Sequence, residues 1–388
     1  MAKTRIYLDW NATAPLHPAA RAAVVDALDL GGNPSSVHGE GRAARMLVEK
    51  ARRQIATLVG GTAANVILTS GATEAANMVL TPDFRMGKSP LNVGHLYVSA
   101  IEHPAVREGG RFAADRKSEI AVLSSGQVDL AALKAQLVSH SSELGLPLVA
   151  VMLVNNETGV VQPVAEVAAL VHAHGGLLVV DAVQAVGRMP VDIAALDADF
   201  LIVSSHKIGG PKGAGALVAR GETLMPTPLI RGGGQEKGHR CGTENVSAIA
   251  GFGAAAEAML VELEDRNSGI RALRDELETR MRQAAPDVVI YGAGSPRVAN
   301  TTFFGLPDMK AETGQIAFDL EGIALSAGSA CSSGKVGQSH VLTAMGFDDK
   351  AGGLRISLGP STTPEEIDLA VSAFQRIAGR RRVGGQAA

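Results

Sequence analysis

The chain has 388 residues, a formal net charge of -3, 46% hydrophobic residues, 45 glycines and 3% aromatics. That composition fits a large-cored α/β enzyme rather than a disordered chain. It argues against a nucleic-acid binder, which wants a basic face and stacking rings. No apolar run reaches the ~18 residues of a membrane span. The N-terminus, Met1-Ala2-Lys3-Thr4-Arg5, does not look like a secretory signal, so a cytoplasmic location is expected. Two cysteines, Cys241 and Cys331, make no disulfide framework.

In chain order, Ile6-Tyr7-Leu8-Asp9 reads as a short strand, followed by a helix over 18–30, a glycine-rich loop at 31–36 and a charged helix over 39–59. Strand-like runs then alternate with helical ones: Val66-Leu68, a helix from Glu74, Leu96-Val98, a helix after Pro104, Ile120-Leu123, and a helix over 130–137. Leu148-Val154, a helix over 164–174, Leu177-Val180 and Phe200-Val203 continue the series. Such alternation predicts a mostly parallel sheet covered by helices on both faces, with ligands at the carboxyl ends of the strands. Ser70, Asn155, Asp181 and Ser204 follow those ends and should converge. Past residue 250 the texture changes to two long helices and short strands near 288, 300, 323 and 354. The expected domains are a large one over 16–250 and a smaller α+β one made of 1–15 and 251–388.

The strongest chemical signal is Ser204-Ser205-His206-Lys207, after the apolar run Phe200-Leu201-Ile202-Val203. A desolvated lysine loses basicity and becomes a usable amine nucleophile. The neighbouring run Leu177-Leu178-Val179-Val180 delivers Asp181 to its own end. A strand-end lysine to hold an aldehyde and a strand-end carboxylate to pair a pyridinium nitrogen are what pyridoxal phosphate needs. Thr69-Ser70-Gly71-Ala72-Thr73-Glu74 closes a strand and opens a helix, a cradle for phosphate, although Thr73 is equally a good cap. Asn155 reads as a partner for the ring hydroxyl or a substrate carboxylate, against a plain asparagine turn. His103, after a strand, could stack on a flat ring or shuttle protons. Arg355 lies in an otherwise apolar strand, as either a structural ion pair or a clamp on an amino-acid carboxylate. Cys331 stands in the small-residue run Ser326-Ala327-Gly328-Ser329-Ala330-Cys331-Ser332-Ser333-Gly334, which describes a mobile arm carrying a reactive thiol. Cys241 reads as packing.

Together these motifs resemble the cysteine desulfurases of the NifS/IscS type, within the class V aminotransferase group of fold-type I pyridoxal-phosphate enzymes. The match runs nearly end to end, through Tyr7-Leu8-Asp9, Gly32-Asn33-Pro34, Glu102-His103, Val154-Asn155-Asn156-Glu157, Val180-Asp181-Ala182-Val183-Gln184, Arg240-Cys241-Gly242-Thr243 and Gly328-Ser329-Ala330-Cys331. The resemblance implies a fold-type I transferase in which Lys207 holds the cofactor and Asp181 pairs its ring nitrogen. His103 would stack on the ring, with Gln184 and Asn155 on its hydroxyl. Ala72, Thr73, Ser204 and His206 would hold the phosphate, joined by Thr243 from the other subunit of a homodimer. Asn33 and Arg355 would take the substrate carboxylate, and Cys331 would receive sulfur from L-cysteine. No resident metal ligand is expected, with Cys331 alone placed to touch an iron–sulfur cluster during transfer. The sulfur acceptor would be an iron–sulfur scaffold or another acceptor protein. Departures from the pattern are Trp10 for the commoner tyrosine, Ser205 for a glycine, Gly209 for an aromatic and Cys241 for a serine or alanine. The rival readings are selenocysteine lyase, a class V aminotransferase, and a non-catalytic cofactor-binding scaffold.

Overall fold

A computed structural model describes residues 5–261, 263–328, 339–347 and 352–385. Among them, β1 (Ile6–Tyr7) opens the chain. The strands β2 (Val66–Thr69), β3 (Asp83–Met86), β4 (Ser89–Ser99), β5 (Lys117–Ile120), β6 (Leu146–Met152), β7 (Leu177–Asp181), β8 (Phe200–Ser204), β9 (Gly215–Ala219) and β10 (Leu224–Pro226) form one large sheet. Its order is β10-β3-β4-β6-β7-β8-β9-β2, with β5 paired to β4 off that path. β4, β6, β7 and β8 run parallel to one another. β7 is buried along its whole length, which is why Leu177-Leu178-Val179-Val180 reads as a continuous apolar run rather than an alternating one.

Helices α1 (Pro18–Leu28), α2 (Gly39–Leu58), α3 (Ala72–Val79), α4 (Pro104–Arg107), α5 (Leu130–Val138) and α6 (Val164–Ala173) belong to this half. On α6 the buried positions are Val164, Val167, Ala168 and Val171, a helical stripe laid on the sheet. α7 (Val246–Val261) buries Phe252, Ala255 and Ala256 in the same core as Val48 and Ile55 of α2. The two long helices expected past residue 250 are α7 and α8 (Leu263–Ala284), and the first of them already begins at Val246.

A second core lies around β11 (Val289–Ile290), β12 (Thr301–Gly305), β13 (Ile323–Ala324), β14 (Ser326–Ala327) and β15 (Leu354–Ser357). It is closed by α8, α9 (Ala311–Leu320) and α11 (Pro364–Gly385); Phe304, Phe318 and Phe374 meet at its centre, while α10 (His340–Ala344) packs Val341 and Leu342 against Ile101, Met152 and Phe303. β1 joins this half, pairing parallel with β13, and Asp9 bridges to Ser357. The first residues therefore pack with the last third of the chain.

The hairpin β3–β4 and the strands β9 and β10 go beyond the sequence reading. Asp83-Phe84-Arg85-Met86 buries only Phe84, and Gly87 at φ +60° turns the chain, so no apolar run announces it. β9 lies between β8 and β2, with Gly215 opposite both Ser204 and Thr69. A Cβ at Gly215 would stand 2.6 Å from Cα and C of Gly71, in the turn that opens α3. Gly215→Ala should therefore push that turn away and cost about 1–3 kcal/mol. Urea denaturation checks this; a variant as stable as the parent would contradict it.

Candidate active site

The carboxyl ends of β6, β7 and β8 open on a cavity of about 620 Å³. Of the residues expected at a site, Ala72, Thr73, His103, Asp181, Gln184, Ser204, His206, Lys207 and Arg355 line it. Asp181 ends β7 and Ser204 ends β8, and one short turn carries Ser204 on to Lys207. The register that pairs Asp181 with Ile202 is what sets carboxylate and amine on one wall.

Lys207 Nζ donates to the carbonyls of Asn11 at 2.7 Å and Ala12 at 2.8 Å, so the N-terminal segment holds the amine. Asp181 is 9% exposed, and its Oδ1 accepts from the Val183 amide at 2.9 Å. Burial pushes its carboxyl up to about 6, against smaller opposing effects from the Val183 amide and Lys207. Glu102, fully buried nearby, is driven well above the usual carboxylate range by burial and then by Asp181. Its Oε1 accepts from the Met152 amide at 2.7 Å, while Oε2 has no partner. Burial and the neighbouring Asp181 charge thus both disfavour a second anion at Glu102.

His103 caps α4, its Nδ1 accepting from the Ala105 amide at 3.1 Å. Burial, then Lys207 and His340, lower it to about 4, so the ring is neutral at pH 7. With Nδ1 accepting, the network assigns the proton to Nε2. His206 is likewise lowered to about 4, by burial and then by Lys207, Lys212 and Arg188; its Nδ1 lies 3.2 Å from Thr13 Oγ1.

At the other end, α3 starts directly after Gly71 with no side-chain cap, which turns its first amides toward the cavity. Glu74 steadies this turn: Oε2 accepts from the Ser70 amide at 2.9 Å and Oε1 from Arg240 Nε at 2.8 Å. Hydrogen bonds to Arg240 and Ser70 hold its carboxyl below the usual range, although burial, the largest single influence, raises it. Arg355 is 2% exposed; Nη1 donates to the Asn156 carbonyl at 2.8 Å and Nη2 to Asp9 Oδ1 at 2.8 Å. Ser326 Oγ donates to the other oxygen of Asp9 at 2.7 Å. The ion pair of the plainer expectation is thus present, on a residue that also faces the cavity.

Three expected residues stand elsewhere. Asn155 is fully buried behind the wall; its Oδ1 accepts from the Glu157 and Thr158 amides and its Nδ2 donates to the Ile101 carbonyl, which fixes the turn, and Asn156 is the one that lines the cavity. Asn33 is exposed, its Oδ1 accepting from the Ser35 amide at 2.9 Å. Thr243 is exposed and lines a smaller pocket with Ser70, Arg240 and Glu244. Cys331 lies outside the described residues. Cys241 is buried, with Sγ donating to the Gly233 carbonyl at 2.6 Å, which agrees with packing. Asn11, Thr13, Glu74 and Lys212 carry parts of the site that are only faintly marked in the chain, as by the Lys212 charge inside Pro211-Lys212-Gly213.

The model for the aminotransferase class-V family matches residues 6–370. This chain belongs to that family. A cysteine desulfurase of Trichormus azollae is 37% identical over 97% of this chain and 94% of its own length. An IscS-like cysteine desulfurase of Mycobacterium tuberculosis is 35% identical over 98% of each. Among solved structures, a NifS-like protein from Rickettsia africae superposes with TM-score 0.86 at 35% identity, covering 96% of this chain and 99% of that one.

The family's cofactor is pyridoxal 5′-phosphate, and the chain is a fold-type I enzyme that uses it. The cavity fits that molecule. A buried carboxylate and a lysine share one wall, and α3 offers uncapped amides across from Lys207, Lys212 and His206. Gln184 contributes a buried Oε1 with no donor, which the ring hydroxyl would supply.

A pH-dependence follows for the cofactor-free protein. The folded-state value for Asp181, about 6, lies above its ordinary 3.8, so its stabilising contribution is full below that ordinary value and is lost as pH rises to about 6. At pH 7 the loss is on the order of 2–3 kcal/mol. Asp181→Asn should therefore raise the melting temperature of the cofactor-free protein at pH 7 but not at pH 3.5, and lower that of the cofactor-loaded one. An equal change at both pH values would refute the assignment.

Proposed function

We propose that this chain is a cysteine desulfurase that converts L-cysteine to L-alanine and moves the sulfur to its own Cys331. The observation that carries this reading is the meeting of Lys207 and Asp181 on one cavity, in a chain whose full-length relatives are cysteine desulfurases. When bound, the cofactor supplies an electron sink for charge developing at the substrate Cα.

Lys207 would hold the cofactor's aldehyde, and its amine would move the proton at the substrate Cα. Asp181 pairs the ring nitrogen; its cost of burial as an anion is recovered when a positive N–H lies against it. His103 stacks on the ring as a neutral imidazole. Amides of Ala72 and Thr73, with Ser204 and His206, hold the phosphate. Arg355 takes the substrate carboxylate and Gln184 the ring hydroxyl, while Asn33, exposed and outside this cavity, has no such place within the single chain. Asn155 acts at one remove, by fixing the turn that presents Asn156. In the transfer step an S–S bond forms at Cys331 Sγ as the substrate Cβ–S bond breaks. The electron pair and a proton pass to Cβ, so that cysteine plus thiol balances alanine plus persulfide.

The same reading extends to assembly. Thr243, exposed beside Ser70 in the single chain, completes the phosphate cup of a second copy, which makes the enzyme a homodimer. The large domain, expected over 16–250, runs on to Val261 because α7 packs in its core, and the small domain is 1–15 with the remainder of the chain. The protein works in the cytoplasm and passes sulfur from Cys331 to an iron–sulfur scaffold or another acceptor. Among the described residues no single helix is long and apolar enough to cross a membrane. The names of the full-length relatives do not favour selenocysteine lyase or an aminotransferase.

Cys331→Ser should keep the yellow cofactor and stop sulfur transfer; persulfide formation in that variant, read by mass spectrometry, would end the proposal. Lys207→Ala should abolish alanine release while leaving cofactor reversibly bound. Unchanged alanine release would contradict its role.

A further inference from the structure

A second cavity, of about 380 Å³, lies on the other side of Lys207. Trp10, Leu16, Ile208, Met259, Ile270 and Leu358 give it apolar walls. Gly209, at φ +82°, closes part of it with bare backbone; a Cβ there would stand 3.2 Å from both His17 Cβ and the Pro15 carbonyl oxygen.

Arg188 also lines this cavity. It ends the turn that follows Asp181, and is 9% exposed. Its Nη1 donates to the Gln184 carbonyl at 3.3 Å, a long bond to a neutral group. Among the described residues no carboxylate lies within ion-pairing distance of Arg188. The other buried arginines differ: Arg355 meets Asp9, Arg297 meets Glu278 and Arg274 meets Asp275. The charges closest in effect are of the same sign, Arg355 and Arg266, and with burial they lower Arg188 to about 9. Arg266 is on the same cavity wall, with Nη2 donating to the Gly187 carbonyl at 2.9 Å.

A guanidinium taken out of water without a counter-charge is costly, and the cost is relieved when an anion meets it. We propose that this cavity binds a small monocarboxylic acid with a short apolar body, its carboxylate on Arg188. One planar fork suits one carboxylate. The walls supply few further donors, since the Asn267 amide already donates to the Arg188 carbonyl at 2.8 Å and the Asn300 amide to Asn11 Oδ1 at 3.0 Å. A sugar phosphate would leave its hydroxyls stranded there, whereas an alkyl chain buries well against Trp10, Met259 and Ile270. The site is separate from the one lined by Arg355 and Asp181, and the two share only Lys207.

Hexanoate serves as the probe, titrated calorimetrically into the cofactor-loaded full chain beside hexan-1-ol and hexylamine. Hexanoate should bind once per chain, and the alcohol and amine should not. Arg188→Gln should weaken hexanoate about tenfold or more. Leu16→Glu, at an exposed rim position, should weaken it with an unchanged melting temperature and supplies the test if Arg188→Gln does not fold. Thr73→Ala, on the other cavity, should leave it unaltered. Equal binding of the alcohol, full affinity in Leu16→Glu or in folded Arg188→Gln, or loss of binding in Thr73→Ala would each overturn the proposal.

Discussion

The placement of a carboxylate where water cannot reach it governs the whole site. Asp181 ends a strand buried on both faces, and its ionised form is tolerable only beside something positive. Lys207 stands on the neighbouring parallel strand's extension, Lys212 and Arg355 on the same cavity, and a helix N-terminus opposite. Each addition of positive character makes the next negative group of a ligand easier to hold. Burial and Asp181 also push the Glu102 carboxyl upward, which disfavours a second anion that would undo what the cations achieve. The histidines follow the same logic: surrounded by cations and partly buried, His103 and His206 stay neutral and serve as shaped polar surfaces rather than as charges.

The second organising contact is the Asp9–Arg355 ion pair. It ties the N-terminal segment to the small sheet at a point where both face the cavity, and Ser326 supports it from β14. One face of Arg355 is thereby spent on structure, which orients the remainder. Its Nε is buried without a partner, so a substrate carboxylate arriving there would meet a guanidinium that is already fixed in place.

Much of this was legible in the sequence because parallel strands buried on both faces write themselves as unbroken apolar runs. Leu177-Val180 and Phe200-Val203 are such runs, and the residue after each carries the chemistry. The sheet edges were not legible for the opposite reason. Asp83-Phe84-Arg85-Met86 buries a single side chain, and the charged remainder resembles any exposed loop. Asn155 shows a different limit. Its position in the chain predicts a cavity residue, but an asparagine can satisfy its own turn, and here it does, handing the cavity wall to Asn156. Arg188 left no trace at all, since an isolated arginine after a Gly looks solvated until the packing around it is known.

The clasp that Asn11 and Ala12 place on Lys207 has a bearing on biosynthesis. Those carbonyls are positioned by a segment whose own partners are Ile323, Ala324 and Ser357, made more than three hundred residues later. A nascent chain on the ribosome can complete the large sheet long before the amine is fastened. Loading of the cofactor into its final arrangement is then a late event, following synthesis of residues 323–357.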